Sequence, residues 1–132
     1  MSATEQGRDQ RSIAAIGMVN VDCADAQASA AFYGAVLGWD VVHSEADYAM
    51  ISGDGTSIGF GRTEGYEPPP WPGPELGTVK RFHLDLYVND LDTGEAGCVQ
   101  LGATRPAFQP GGERWRVLID PGGHPFCIAL RT

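Results

Sequence analysis

Among the 132 residues no apolar run approaches the roughly 20 that a membrane-spanning helix needs, so no membrane span is expected. The opening stretch MSATEQGRDQRS has no apolar core segment of the kind a secretory signal carries. Residues 1–12 read instead as a disordered tail. Basic residues are scarce, nine against seventeen acidic, and the net charge of −8 repels phosphate backbones. Nucleic acid is therefore not an expected partner. Only three cysteines occur, Cys23, Cys98 and Cys127, an odd number without paired spacing. That pattern excludes a disulfide framework and suits reduced thiols in a cytoplasmic protein. No Gly-x-Ser-x-Gly, no Cys–His pair in local context and no glycine-rich phosphate loop ahead of a helix is found, although there are eighteen glycines.

What the chain does have is alternation broken by turns. IAAIGMVNVDC (13–23) reads as a strand with Met18, Asn20 and Asp22 on one face. Asp25 is placed to cap a helix whose apolar stripe is Ala26, Ala30, Tyr33 and Leu37, with Phe32 and Val36 beside it. Gly38 stands where a left-handed residue would end that helix. WDVVHSE, DYAMISG and TSIGFGR follow as short strands, the last two joined by a tight turn at Asp54-Gly55.

The Pro- and Gly-rich TEGYEPPPWPGPELG (63–77) cannot form a regular element and reads as a connection, with Trp71 on a stiff segment that could cover a cleft. After it the order of elements repeats, offset by about 65 residues. RFHLDLYV is a strand with His83, Asp85 and Tyr87 on one face. Asp90 caps a helix with a Leu91, Gly94, Cys98, Leu101 stripe that Gly102 ends. ATRPAF, RWRVLID and PFCIALR are expected as strands. The domain reading is a first βαβββ module over 13–62, a connection over 63–78 and a second module over 79–132. Half-buried strands cannot be left with bare faces and edges, so the two modules are expected to combine. The fold class is α+β: a curved mixed sheet around a cleft, helices outside, with Met18, Asn20, Asp22, His83, Asp85 and Tyr87 facing inward.

AFYGAVLGW (31–39), RFHLDLYV with NDLD, QLGA and the terminal VLIDPGGHPFCIAL together resemble the vicinal-oxygen-chelate superfamily of glyoxalases, bleomycin-resistance proteins and extradiol dioxygenases. The resemblance covers residues 13 to 131 and implies the glyoxalase/bleomycin-resistance fold, together with a homodimer. It also implies a divalent cation held by four cleft-facing side chains, which correspond here to Met18, Gly59, His83 and Cys127. Only His83 has the expected ligand type. Gly59 has no side chain, Met18 is a thioether too soft for hard or borderline cations, and a zinc site needs at least three protein ligands. No metal cofactor is therefore expected.

Each candidate has a plainer reading beside the functional one. His83 can line a pocket, act as a base beside Asp85, or bond neighbouring backbone. Asn20, Asp22 and Asp85 can orient a ligand or bond backbone at strand ends. Cys127, between Phe126 and Ile128, can be an inert buried thiol, and Trp115 either stacks on a planar ligand or packs in the core. His124 reads as an exposed turn residue, Trp39 as packing, and His43 carries no signal. The function expected is binding of a small aromatic or basic organic molecule without a catalytic metal, through Asn20, Asp22, His83, Asp85, Tyr87, Trp115 and Cys127. The alternative is a lyase, isomerase or dioxygenase-type enzyme that uses His83 as base or metal ligand.

Overall fold

The computed structural model describes residues 16–73 and 82–131. The tail at 1–12, the start of the first expected strand at 13–15, and the stretch 74–81 spanning the junction of connection and second module lie outside the described residues.

β1 (Val19–Cys23) leads into α1 (Ala26–Leu37), followed by β2 (Asp40–Ser44), β3 (Tyr48–Gly53) and β4 (Thr56–Arg62). Asp25 keeps an extended backbone and its carboxylate accepts from the Ala28 amide at 3.0 Å, so the cap forms as its side chain dictates. Gly38 ends the helix at φ 70°, where a Cβ would be strained. The tight turn puts Asp54 at φ 51° and Gly55 at φ 78°, the double left-handed pair that a two-residue hairpin requires. The sheet order is β1-β4-β3-β2, with β1 parallel to β4 and the other pairs antiparallel.

The second half contains β5 (Asp85–Val88), α2 (Leu91–Gln100), β6 (Trp115–Ile119) and β7 (Pro125–Leu130). Asp90 caps α2 by accepting from the Thr93 amide at 2.9 Å. β7 lies between β5, to which it is parallel, and β6, to which it is antiparallel. The strand expected at ATRPAF does not form. Only Thr104 reaches β6, in a single bridge to Ile119. Pro106 then removes a ladder donor, and a side chain takes over the β6 edge. Gln109 accepts from the Val117 amide at 2.9 Å and donates to the carbonyls of Val117 and Pro106 at 2.9 and 3.0 Å.

The two sheets share one core, although among the described residues no backbone ladder joins them. On the inner face of the first, Ala49, Ile51, Ile58 and Phe60 are buried with Phe32 and Tyr33 of α1. Leu118, Phe126 and Ile128 of the second belong to the same cluster. Phe126 meets the Phe32 and Tyr33 rings edge-on at 5.7 and 5.6 Å, and Tyr33 stacks on Phe60 at 5.6 Å. The Tyr33 hydroxyl donates at 2.8 Å to the buried Asp120, just past β6. Among the described residues no helix is long and apolar enough to cross a membrane.

Candidate functional site

Strand alternation decides which side chains leave the core. On the first sheet Asn20 pairs with Gly59, which pairs with Met50; Asp22 pairs with Gly61, which pairs with Tyr48. These residues lie on the face opposite α1. The place left by the missing side chain at Gly59 is filled: a Cβ there would run into the Tyr48 hydroxyl and the Asn20 amide oxygen. Those two groups bond across it, Tyr48 donating to Asn20 at 3.0 Å. With a thioether at position 18 and a filled position 59, this wall cannot supply its share of a four-ligand cation site.

On the second sheet His83, Asp85, Tyr87, Trp115 and Cys127 share the face turned away from α2, because Asp85 is opposite Cys127 and Tyr87 opposite Ala129, itself opposite Trp115. The Cys127 amide donates to Leu84 at 2.8 Å and so carries the β5–β7 pairing back towards His83. Imidazole Nε2 of His83 lies 3.1 Å from the Asp85 carboxylate. One nitrogen of His83, a carboxylate oxygen of Asp85 and the Cys127 sulfur all come within 4.8 Å of one another. Trp71 crosses this face, stacked on His83 at 5.1 Å and on Trp115 at 6.3 Å. Tyr87 is exposed, with the Arg131 guanidinium 4.9 Å above its ring.

Between the β1 edge and the approach to β5 lies a groove of about 740 Å³. Asn20, Asp22, Tyr66, Phe82, His83 and His124 are among the residues that line it. The structure thus brings Asn20, Asp22 and His83 together, and sets Asp85, Tyr87, Trp115 and Cys127 on the adjoining face, outside the groove. His124 is not the exposed turn residue expected. It is half-buried and stacks on Tyr66 at 6.4 Å, because the Asp120 carboxylate accepts from the Gly122 and His124 amides at 2.9 Å and folds the turn inward. Burial, reinforced by the Asp120 charge, pushes the Tyr66 phenol up to about 12 and the Tyr33 phenol well above its ordinary value.

Tyr48, Tyr66 and Phe82 were not singled out by sequence. Tyr48 had a usable signal: the register of a hairpin turning at Asp54-Gly55 places it opposite Gly61, on the face of Asn20. Tyr66 lies outside the regular elements, where periodicity carries no information. Alternation in the expected strand RFHLDLYV puts Phe82 on the side away from His83, but β5 begins only at Asp85 and Phe82 is 95% exposed beside the groove.

Residues 18–129 match the family described as a glyoxalase-like domain. The fold is similar to that of a glyoxalase/bleomycin resistance protein/dioxygenase family enzyme from Burkholderia phytofirmans PsJN, at 23% identity and TM-score 0.66 over 90% of this chain and 100% of that one. A glyoxalase-related enzyme from Fulvimarina pelagi is 21% identical with TM-score 0.60, over 90% and 89% of the two chains. A bleomycin-binding protein complexed with bleomycin is 21% identical with TM-score 0.57, over 90% and 100%. No curated protein matches the chain. With the two half-sheets, their capped helices and a family match across most of its length, the chain belongs to the glyoxalase-like domain family of the vicinal-oxygen-chelate superfamily.

Proposed function

We propose that this protein binds a small aromatic or basic organic molecule in the groove between β1 and β5, by occupancy and without a cation at the four family positions. The observation that carries this reading is the groove itself. At about 740 Å³ it falls in the range of small-molecule sites, and it sets Asn20, Asp22 and His83 among the rings of Tyr66, Phe82 and His124. Asp22 and Glu67 in its lining, within a chain of net charge −8, favour a cationic ligand. From the groove the aromatic wall continues over Trp71, which links His83 to Trp115. Micromolar affinity requires only about −8 kcal/mol, which ring contacts and a few hydrogen bonds supply. The similar bleomycin-binding protein makes bleomycin a sensible first probe.

The test is calorimetric titration with bleomycin and a panel of planar aromatic amines. At least one should bind in the micromolar range, and Asp22→Asn and His83→Ala should each weaken it about tenfold, or 1.4 kcal/mol. A panel without binders, or a binder indifferent to both substitutions, would remove the reading. The enzyme alternative draws on the 3.1 Å contact by which Asp85 can orient His83 as a base. Its signature would be turnover of a bound compound that His83→Ala abolishes.

We also propose a homodimer in the cytoplasm. Among the described residues β1 and β5 are edge strands, and Ile16, just ahead of β1 and outside the groove lining, exposes apolar surface that a second copy would cover. Light scattering at micromolar concentration should give twice the chain mass.

A further inference from the structure

We propose that the groove ligand is a primary amine, whose ammonium group enters a small cavity between the end of β1 and the turn that follows β6. This rests on the groove reading and deepens it, from organic molecules at large to those with an unsubstituted ammonium head.

The cavity measures about 10 Å³, room for one group the size of a water molecule. Val21, Asp22, Tyr33, Tyr66 and His124 line both the cavity and the groove, so the two adjoin. Backbone contacts hold its walls. The Thr63 amide donates to Cys23 at 2.9 Å and the Tyr66 amide to Thr63 at 3.1 Å, which ties the turn after β4 to the end of β1. From the second half comes Asp120, 8% exposed, which accepts from the Tyr33 hydroxyl and from the Gly122 and His124 amides.

Three features select a small cation. The first is uncompensated charge. No lysine or arginine lines the cavity or the groove, and among the described residues none forms an ion pair with Asp22 or Asp120. A buried carboxylate without a countercharge is costly, and the three hydrogen bonds on Asp120 leave one of about four acceptor sites. The second is the Tyr66 hydroxyl, buried without a hydrogen-bond partner among the described residues, whereas buried phenols normally find one. Burial first, then Asp120, Cys23 and Asp22, hold its proton in place, so the two carboxylates act on this same oxygen. The third is fit. An ammonium on a single carbon offers three donors in a water-sized head, shared between the Tyr66 oxygen and the carboxylates. Water fills the same space but cancels no charge, and a methylated head is too large for it. The carbon skeleton then emerges among the groove rings of Tyr66, Phe82 and His124.

The experiment is titration of the full chain with methylammonium chloride, followed by amide chemical shifts, with tetramethylammonium chloride at equal ionic strength as control. Methylammonium should saturate in the millimolar range, the ceiling for so small a ligand, and move the Gly122 and His124 amides that bond Asp120. Tetramethylammonium should not. Tyr66→Phe keeps the ring and should weaken methylammonium about fivefold. Benzylamine, which adds a ring for the groove, should bind about tenfold more tightly than methylammonium and than N,N-dimethylbenzylamine. Where Tyr66→Phe fails to fold, these size comparisons carry the test. Shifts that both cations produce alike, or neither, overturn the proposal and leave water as the occupant. Undiminished binding in folded Tyr66→Phe, or a dimethyl analogue that binds as well as benzylamine, overturns it too. The groove reading survives each of these results if bleomycin or another aromatic compound still binds. Methylammonium that saturates as expected while no aromatic compound binds removes the groove reading and leaves the ammonium site standing.

Discussion

At position 59 a methyl group would collide with the Tyr48 hydroxyl and the Asn20 oxygen, so Gly59→Ala must part that pair or bend β4. The expected cost is about 1–2 kcal/mol, measured as a lower urea midpoint at unchanged slope. That this glycine cannot ligate a metal was legible in the sequence. That Tyr48 fills its place was not, because nothing along a strand states what a neighbour two strands away will fill. The buried titrating groups make a second residue-scale expectation. Burial raises Cys23, Cys98, Tyr33 and Tyr66, so each holds its proton more tightly folded than unfolded. Stability is then intact below about pH 9 and falls as pH rises through the folded values, about 12 for Tyr66. Chemical unfolding at stepped pH should show the decline, and Tyr66→Phe should flatten the part above about pH 10.

For single elements, local chemistry fixed the helices and the hairpin well. Asp25, Asp90, Gly38 and the Asp54-Gly55 turn all sit where their side chains or φ angles require. The failure was ATRPAF, which has strand-like composition but owes its conformation to Pro106 and to an amide several residues further on. Gln109 presents an acceptor and donors to Val117 as a neighbouring strand would. Gln109→Leu keeps the bulk and loses all three hydrogen bonds, two of them to Val117. The expected loss is about 2–3 kcal/mol, with faster hydrogen exchange at the Val117 amide while the β5–β7 amides keep their protection.

Across the whole molecule, the repeat of helix and strands was readable, but the packing of the first helix against the second sheet was not, since apolar periodicity names a buried face and never its partner. Phe32 and Tyr33 meet Phe126 across that junction, so the halves should unfold together. Calorimetry should show one transition, and Phe126→Ala should cost about 3–5 kcal/mol while leaving it single. The tryptophans are divided unevenly by the same architecture. Trp39 donates to Asp54 at 3.1 Å on the first sheet, while Trp71 and Trp115 lie ring against ring on the second. Ultraviolet emission therefore carries two separate messages: a steady signal from the indole tied to its carboxylate, and a variable one from the stacked couple. Lifting Trp71 off its sheet would change the second and spare the first, giving the molecule an optical gauge of its own cover with a reference built in.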